Sequence, residues 1–143
     1  WYQAVICGKP VDNNGTYVDY LKQDKKNNCS RIVDKSDPES KRAELEYKVL
    51  DCIRTEEKDS QYLSLVEIKL LTGRHHQIRV QFSGHGTPLY GDGKYGNNEK
   101  AVRKSLALCA CHLKFKHPAT GKIMDFQIKP DTGAFKLFSK SND

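Results

Sequence analysis

The segment at residues 72–79, TGRHHQIR, concentrates the side chains of this chain that are best suited to charge chemistry. A glycine frees the backbone after a strand-like run, so we predict that a strand ends here and that a helix begins with Thr72 as its N-cap. Unpaired N–H groups at a helix start attract anions. Arg74 in the first turn and Arg79 about one and a half turns later could therefore hold a phosphate and a carboxylate. Two ordinary arginines on a solvated helix face are the alternative, which the spacing alone slightly favours.

A second set of residues, Cys109, Cys111, His112 and His117, has the residue types that bind zinc. The alternation in residues 106–115 predicts one continuous strand, on which the two cysteines face one way and His112 the other. Four ligands could converge on a tetrahedral site only if that strand were broken. We therefore expect no metal here and interpret the thiols as small buried apolar side chains.

The pattern of apolar residues predicts the elements that must position these groups. Residues 42–53 and 61–71 alternate between apolar and polar side chains, which predicts an antiparallel hairpin with one face on a core. Residues 1–7 are mostly apolar on both faces and predict a buried strand. Further predictions are strands at 31–35, 106–115 and 122–128, helical segments at 74–82, 98–105 and 135–139, turns at 12–15, 37–40 and 117–121, loops at 24–30 and 84–96, and an undecided element at 17–21. The fold class that follows is α+β, a mainly antiparallel or mixed sheet with a few helices, in a single domain over residues 1–143.

The composition is that of a globular domain with a basic surface. Net charge is +6 and the pI is about 9.0, which favours a polyanionic partner over a neutral one. Residues 94–129 hold eight Lys or Arg residues against two acids. No apolar run has the length of a membrane span, which requires about 18 residues. The five cysteines are odd in number and irregularly spaced, which indicates reduced thiols in the cytosol. The chain begins at Trp1 in a strand-like run, which we interpret as a cut inside a larger protein.

Four motifs in order along the chain resemble those of RNA pseudouridine synthases of the RluA type. Residues 72–79 are similar to the family pattern T-G-R-x-H-Q-I-R, and residues 86–96 (GTPLYGDGKYG) to G-x-P-L-x-G-D-x-x-Y-G. Residues 1–8 (WYQAVICG) resemble the strand K-x-Y-x-A-x-V-x-G, and residues 106–118 (LALCACHLKFKHP) resemble L-x-L-H-A-x-x-L-x-F-x-H-P. The resemblance extends to about Pro130, although the stretch from Asp12 to Ser40 contributes little to it.

The resemblance implies an isomerase that converts a uridine of ribosomal or transfer RNA into pseudouridine, with the target base flipped out of its stack. It implies an enzyme that needs no cofactor or metal. From the reduced thiols and the lack of a long apolar run, we expect this enzyme in the cytoplasm, without a membrane partner. The chain would be the C-terminal portion of the catalytic domain, with part of the pseudouridine synthase fold. The catalytic aspartate of the family belongs to an H-R-L-D motif, which does not occur in these 143 residues, so we expect no catalysis by this chain alone. A non-catalytic RNA-binding module with the same fold is the alternative, and a metal-stabilised interaction domain ranks last.

The resemblance also assigns roles to individual residues. Tyr2 corresponds to the active-site tyrosine that stacks on the target base and takes part in proton transfer. A core aromatic is the alternative, and the position in the motif favours the functional role. Arg79 corresponds to the arginine that pairs with the catalytic aspartate and keeps it ionised. Leu108, or a near neighbour, corresponds to the apolar residue against the base; a core leucine is the alternative, and the two interpretations nearly coincide.

The remaining assignments are weaker. Arg74, His76 and Gln77 are candidates for RNA contact or for holding the start of the helix. Cys109 stands where the family pattern has a histidine, which argues against a catalytic use of that position. Asp92 is interpreted as a turn-forming residue, because Asp side chains hydrogen-bond to nearby backbone.

Overall fold

The computed structural model describes residues 1–56, 61–96 and 104–142. Within this part, eight strands and two helical segments follow one another along the chain. The strands are β1 (Tyr2–Cys7), β2 (Asn14–Asp24), β3 (Cys29–Ile32), β4 (Lys41–Arg54), β5 (Tyr62–Leu70), β6 (Leu108–Ala110), β7 (His112–Lys116) and β8 (Ile123–Gln127), and the helices are α1 (Gln77–Gly84) and a C-terminal 3-10 helix (Gly133–Asn142).

Six strands form one antiparallel sheet in the order β3-β2-β4-β5-β1-β6, and β7 and β8 form a separate hairpin. The predicted hairpin of residues 42–53 and 61–71 is confirmed as β4 and β5, with Leu45 opposite Leu70 and Val49 opposite Val66. The predicted buried strand at the start of the chain is β1, which lies between β5 and β6. The α+β class with a mainly antiparallel sheet is therefore confirmed.

The prediction of one continuous strand over residues 106–115 is wrong. The chain pairs with β1 only as far as Ala110, which lies opposite Tyr2, the first residue of β1. Beyond Ala110 the pairing changes, and the residues from His112 onward pair with β8 instead. Cys111 marks the change, because its N–H donates to the carbonyl of Trp1 while its own carbonyl accepts from the N–H of Ile128.

Several smaller boundaries also differ. The undecided element at 17–21 is part of β2, which already starts within the turn predicted at 12–15. The strand predicted at 31–35 is β3 and begins earlier, at Cys29, inside the predicted loop. The predicted last helical turn at 135–139 lies within the 3-10 helix. The helical segment predicted at 98–105 lies mostly outside the described residues.

The helix predicted at 74–82 begins three residues later, at Gln77. Thr72 is not its N-cap. That position belongs to His76, whose backbone is left-handed (φ 52°) and whose side chain makes no capping hydrogen bond. The hydroxyl of Thr72 instead accepts the N–H of Glu44 in β4. The side chain of Thr72 is therefore bound to β4, and the segment between β5 and α1 stays next to the sheet until the helix begins at Gln77.

The sheet is covered on both faces. On one face α1 and the following loop close an apolar cluster around Phe82, which is fully buried. The cluster contains Ala4, Ile6, Leu45, Tyr47, Val66, Ile68, Ile78, Phe82 and Leu89. On the other face the 3-10 helix contributes Ala134 and Phe135 to a smaller cluster with Val5, Leu63 and Ala107. The larger apolar cluster thus lies on the face covered by α1, and its packing holds α1 in place.

The hairpin of β7 and β8 has one apolar face that is open within the described part of the chain. Leu113 lies opposite Phe126, and Phe115 lies opposite Met124. Leu113 and Phe126 are 58% and 53% exposed. A two-stranded hairpin has little stability of its own, so this element depends on what its apolar face contacts.

Phe82 should be a principal source of stability. Phe82→Ala removes a fully buried ring and should lower the free energy of unfolding by about 3–5 kcal/mol, measured by urea denaturation. Phe126→Ala makes the same change at an exposed position and should cost less than about 1 kcal/mol. Equal losses for the two variants would contradict the arrangement of the core.

Candidate active site

The centre of the site is an ion pair between Arg79 of α1 and Asp92 of the following loop. Arg79 donates from Nε to Oδ2 of Asp92 at 3.0 Å and from Nη2 to Oδ1 at 2.8 Å. Asp92 is 1% exposed, and Arg79 is only partly buried. Two parallel hydrogen bonds fix the plane of the guanidinium as well as its position, so the side chain of Arg79 is held rigidly.

Asp92 also organises the loop in which it lies. Its Oδ1 accepts the backbone N–H groups of Lys94 and Tyr95, both at 3.1 Å. This confirms Asp92 as a turn-forming residue. The same geometry shows a second role that the sequence interpretation missed, because Asp92 is the carboxylate that Arg79 contacts within the described part of the chain. Its position in the G-D-x-x-Y-G motif was the available signal.

The glycines of this loop are required by close backbone contacts. Gly91 has a positive φ of 79°, and a Cβ there would overlap the carbonyl of Ser105. A Cβ on Gly96 would overlap the carbonyl of Asp92. The loop therefore folds tightly enough to bring Asp92 under α1 only because these positions have no side chain.

Burial alone would raise the pKa of Asp92, since it penalises the charged form. The hydrogen bonds from Arg79, Tyr95 and Lys94, together with the charge of Arg79, outweigh that effect and hold the pKa of Asp92 below its usual value. The pKa of Arg79 is raised, chiefly by its hydrogen bond to Asp92. The pair is thus ionised at neutral pH.

Tyr95 connects this pair to the rest of the site. The guanidinium of Arg79 lies 5.0 Å from the centre of the Tyr95 ring, within the range of a cation–π contact. The Tyr95 hydroxyl accepts the N–H of Ser30 in β3 at 3.0 Å and lies 2.7 Å from Nδ1 of His76. The sequence assigned Tyr95 no role beyond its place in a motif, whereas in the structure it joins α1, the loop and β3.

The environment of His76 favours its neutral form. Burial, followed by the nearby charges of His75, Arg79 and Lys94, lowers the pKa of His76. Neutral imidazole can accept the hydroxyl proton of Tyr95 at Nδ1, which matches the hydrogen bond between them. His76 therefore holds the start of α1 against the loop, one of the two roles expected for it.

Gln77 is buried and occupied by structural hydrogen bonds. Its Oε1 accepts from the hydroxyl of Thr72 at 2.8 Å and from the N–H of Arg74 at 2.9 Å, and its Nε2 donates to the carbonyl of Glu44. Of its two expected roles, these contacts favour holding the helix start. Arg74 does not lie in the first turn of α1, and its Nε donates to the carbonyl of Arg42 in β4 while the side chain remains exposed.

Tyr2 and Leu108 lie on the same sheet face as α1. In β1, Tyr2 shares a face with Ala4 and Ile6, and Leu108 is the register partner of Ala4. Both side chains are half-buried and pack against the cluster that includes Ile78 of α1. The structure thus brings an aromatic ring and an apolar side chain to the border of the core that the helix of Arg79 covers.

The histidines of the zinc set make other contacts. His112 Nε2 lies 2.8 Å from Asp125 Oδ1, and His117 Nδ1 accepts the N–H groups of Ala119 and Thr120. In the described ranges, no group of three or more His, Cys, Asp or Glu residues is arranged to bind a metal ion. The argument against zinc assumed an unbroken strand over residues 106–115, and the break at Cys111 removes that argument. Even with the break, the described residues contain no such group of ligands.

The ion pair should make stability depend on pH. Because the folded-state pKa of Asp92 lies below the value of about 3.9 for an unfolded Asp, its contribution is fully present above about pH 5 and is lost as the pH falls through the folded-state pKa. Asp92→Asn should lower the free energy of unfolding by about 3 kcal/mol at pH 7. The difference from the unsubstituted protein should shrink below about pH 4, as urea denaturation at pH 7, 5 and 3 would measure. Asp131→Asn, at an exposed position, should have little effect at any pH, and an Asp92→Asn difference that is constant from pH 7 to pH 3 would exclude the ionised pair.

Comparison with known proteins places this geometry in a family. A sequence model described as RNA pseudouridylate synthase matches residues 1–84. Ribosomal large subunit pseudouridine synthase D of Zymomonas mobilis is 35% identical over 136 residues, which covers 90% of this chain and 40% of the relative. The uncharacterized RNA pseudouridine synthase YlyB of Bacillus subtilis is 36% identical over 126 residues, covering 88% of this chain and 38% of the relative.

The fold shows the same likeness. The solved structure of human RNA pseudouridylate synthase domain containing 1 superposes with a TM-score of 0.74 at 22% identity, covering 91% of this chain and 54% of that one. The chain spans about 40% of the length of the curated relatives it matches. From the match over residues 1–84 and the motifs around Arg79 and Asp92, the chain belongs to the RNA pseudouridylate synthase family, in its RluA-type branch.

Proposed function

We propose that the protein to which this chain belongs is an RNA pseudouridine synthase that acts on ribosomal RNA, and that residues 1–143 form the C-terminal portion of its catalytic domain. Ribosomal RNA is preferred over transfer RNA because relatives that cover most of the chain are named ribosomal large subunit pseudouridine synthases. The observation that supports the activity most directly is the rigid Arg79 guanidinium, held by Asp92 at the motif position where the family has its catalytic arginine.

The reaction sets the requirements that the site must meet. The bond between the ribose and N1 of uracil breaks, the base turns, and a bond from the ribose to C5 forms. A proton leaves C5, and N1 gains a proton. The product is an isomer of the substrate, so no electron is gained or lost and no redox cofactor is required. The protein must hold the detached base, stabilise a carboxylate and move a proton.

Arg79 is suited to stabilising a carboxylate. Its Nε and Nη2 contact Asp92, and its Nη1 makes no hydrogen bond to any residue in the described ranges. We infer that Nη1 pairs with the catalytic aspartate of an H-R-L-D motif in a part of the protein outside these residues. A guanidinium that already has a fixed plane requires little reorganisation to orient a second carboxylate. Asp92 then acts as a positioning residue for Arg79.

Tyr2 and Leu108 are suited to holding the detached base. A half-buried aromatic ring offers a stacking face for a flipped base, and an apolar side chain beside it excludes water. His76 and Gln77 hold the segment before α1, and Arg74 offers a free cationic end for a phosphate.

The setting that we propose is the cytoplasm, where cysteines remain reduced. All five cysteines are free thiols. Among the described residues, no helix has both the length and the apolar character needed to cross a membrane. A non-catalytic RNA-binding module is the alternative function. Tritium release from [5-3H]uridine-labelled ribosomal RNA by the complete protein separates the two, because only the enzyme exchanges the C5 hydrogen. The 143-residue chain alone should release none.

Arg79 should be needed for turnover beyond its structural contact with Asp92. Arg79→Ala should reduce tritium release by at least about 10³-fold. Asp92→Asn should lose about 10-fold to 100-fold, since it leaves the guanidinium present but less well oriented. Circular dichroism should show both variants folded at the assay temperature. Equal losses in the two variants would reduce Arg79 to a structural role.

Tyr2 should contribute both stacking and proton transfer. Tyr2→Phe keeps the ring, so RNA affinity should be unchanged while the rate constant of a single turnover falls by about 100-fold or more. Tyr2→Leu should also weaken RNA binding, by about 1–3 kcal/mol. Tyr62→Phe serves as a control at an exposed tyrosine. Unchanged turnover in Tyr2→Phe would exclude the proton-transfer role.

A further inference from the structure

A broad groove of about 980 Å³ opens at the end of the sheet where the turn between β2 and β3, the start of β4 and the segment before α1 meet. The basic residues of its lining are Lys22, Lys25, Arg31, Lys41 and Arg74. The roles assigned above to the site use one of these residues as an RNA contact, Arg74, so most of the lining is unassigned.

The groove is electropositive. Five of its lining residues are basic and two are acidic, and both acids already have partners. Glu39 lies 3.0 Å from Nζ of Lys22. The carboxylate of Asp24 accepts the backbone N–H groups of Lys26 and Asn27 within its own turn. The cationic side chains outnumber the groups that could neutralise them.

Lys25 and Lys41 are available to a ligand. Both are exposed, and neither side chain makes a hydrogen bond or ion pair to a residue in the described ranges. Arg74 uses only its Nε, on the carbonyl of Arg42, so both of its terminal nitrogens remain free for a phosphate. Free cations on separate walls suit a ligand with several negative charges along its length.

The shape and lining argue against a small molecule. Sites for small ligands are enclosed and predominantly apolar, with a few polar groups. This groove is open, and Leu21 and Gly73 are the only lining residues without a polar side chain. Phosphodiester chains are recognised in grooves of this kind, where Lys and Arg side chains displace counterions.

The groove is joined to the candidate active site by hydrogen bonds. His75 bridges its walls, because Nδ1 lies 2.8 Å from the hydroxyl of Ser30 and Nε2 lies 3.0 Å from Oδ1 of Asn28. Lys94, two residues after Asp92, donates from Nζ to the carbonyl of Asn28. Tyr95 accepts the N–H of Ser30. A strand lying in the groove would therefore have a fixed position relative to Arg79.

We propose that this groove binds the phosphodiester backbone of the RNA strand next to the target uridine, through Lys25, Lys41 and Arg74. The proposal rests on the proposed function for the identity of the RNA. Contacts of this kind determine position and carry no base identity, so the groove sets where the strand lies and leaves the choice of uridine to other contacts.

The test measures RNA binding and turnover separately in the complete protein. Binding of a fluorescent single-stranded oligoribonucleotide is followed by anisotropy over a series of KCl concentrations. Lys25→Gln/Lys41→Gln should weaken binding by about tenfold and reduce the slope of log K against log salt by about 1.4, since each phosphate contact to a single strand contributes about 0.7.

Lys48→Gln/Lys69→Gln is the matched control. It removes the same charge from exposed positions on the other face of the sheet, and Lys48 lies seven residues from Lys41 along β4, or roughly 23 Å. The control should keep the slope of the unsubstituted protein. Equal slopes for the groove variant and the control would overturn the groove while leaving the proposed function intact if tritium release persists.

A mononucleotide distinguishes a strand from a small ligand in the same place. Uridine monophosphate should compete poorly with the oligoribonucleotide, and its weak binding should not differ between the groove variant and the control. Tight binding of the mononucleotide that is lost in Lys25→Gln/Lys41→Gln would overturn the proposal. Failure of the proposed function would be recognised differently, by absence of tritium release from the unsubstituted protein.

Discussion

The site depends on a buried ion pair between a helix and the loop that follows it. Arg79 and Asp92 are 13 residues apart in sequence and meet through two hydrogen bonds of 2.8 and 3.0 Å. Breaking such a pair leaves a buried charge without compensation, which is strongly unfavourable. Asp92 in turn holds the backbone of Lys94 and Tyr95, so the loop and the helix form one structural unit. Asp92 is fully buried, whereas the guanidinium of Arg79 is only partly buried.

The segment between β5 and α1 shows how the sheet controls the helix. The backbone of Glu44 donates to Thr72 and accepts from Gln77. The Thr72 hydroxyl, predicted from the sequence to cap a helix beginning at Arg74, is thus engaged with β4 instead. The helix therefore begins at Gln77, after a left-handed residue at His76. As a result, Arg74 contacts the carbonyl of Arg42 in β4, whereas Arg79 contacts Asp92 in the loop after α1.

Tyr95 and His75 extend this unit to the β2–β3 turn. Ser30 contacts both of them, through its N–H and its hydroxyl. The positively charged groove and the ion pair are therefore parts of one hydrogen-bonded assembly. The apolar cluster around Phe82 packs α1 against the sheet, and α1 carries both Phe82 and Arg79. Packing places the helix, and polar contacts determine the orientation of the Arg79 side chain.

Much of the architecture was determined by the sequence alone. Alternating apolar residues in β4 and β5 predict a half-buried hairpin because the period of a strand is two. The four motifs identify the family because each has characteristic residues at fixed spacing.

Tertiary structure decided what depends on partners distant in sequence. Residues 106–115 look like one strand, yet they divide at Cys111, where the pairing changes from β1 to β8. Arg79 was assigned to a carboxylate outside the chain, and the fold places Asp92 against it because Gly91 and Gly96 allow the loop to close. Local pattern reports the burial of a segment, whereas the partner of a charge or the end of a strand depends on which neighbours the fold brings close.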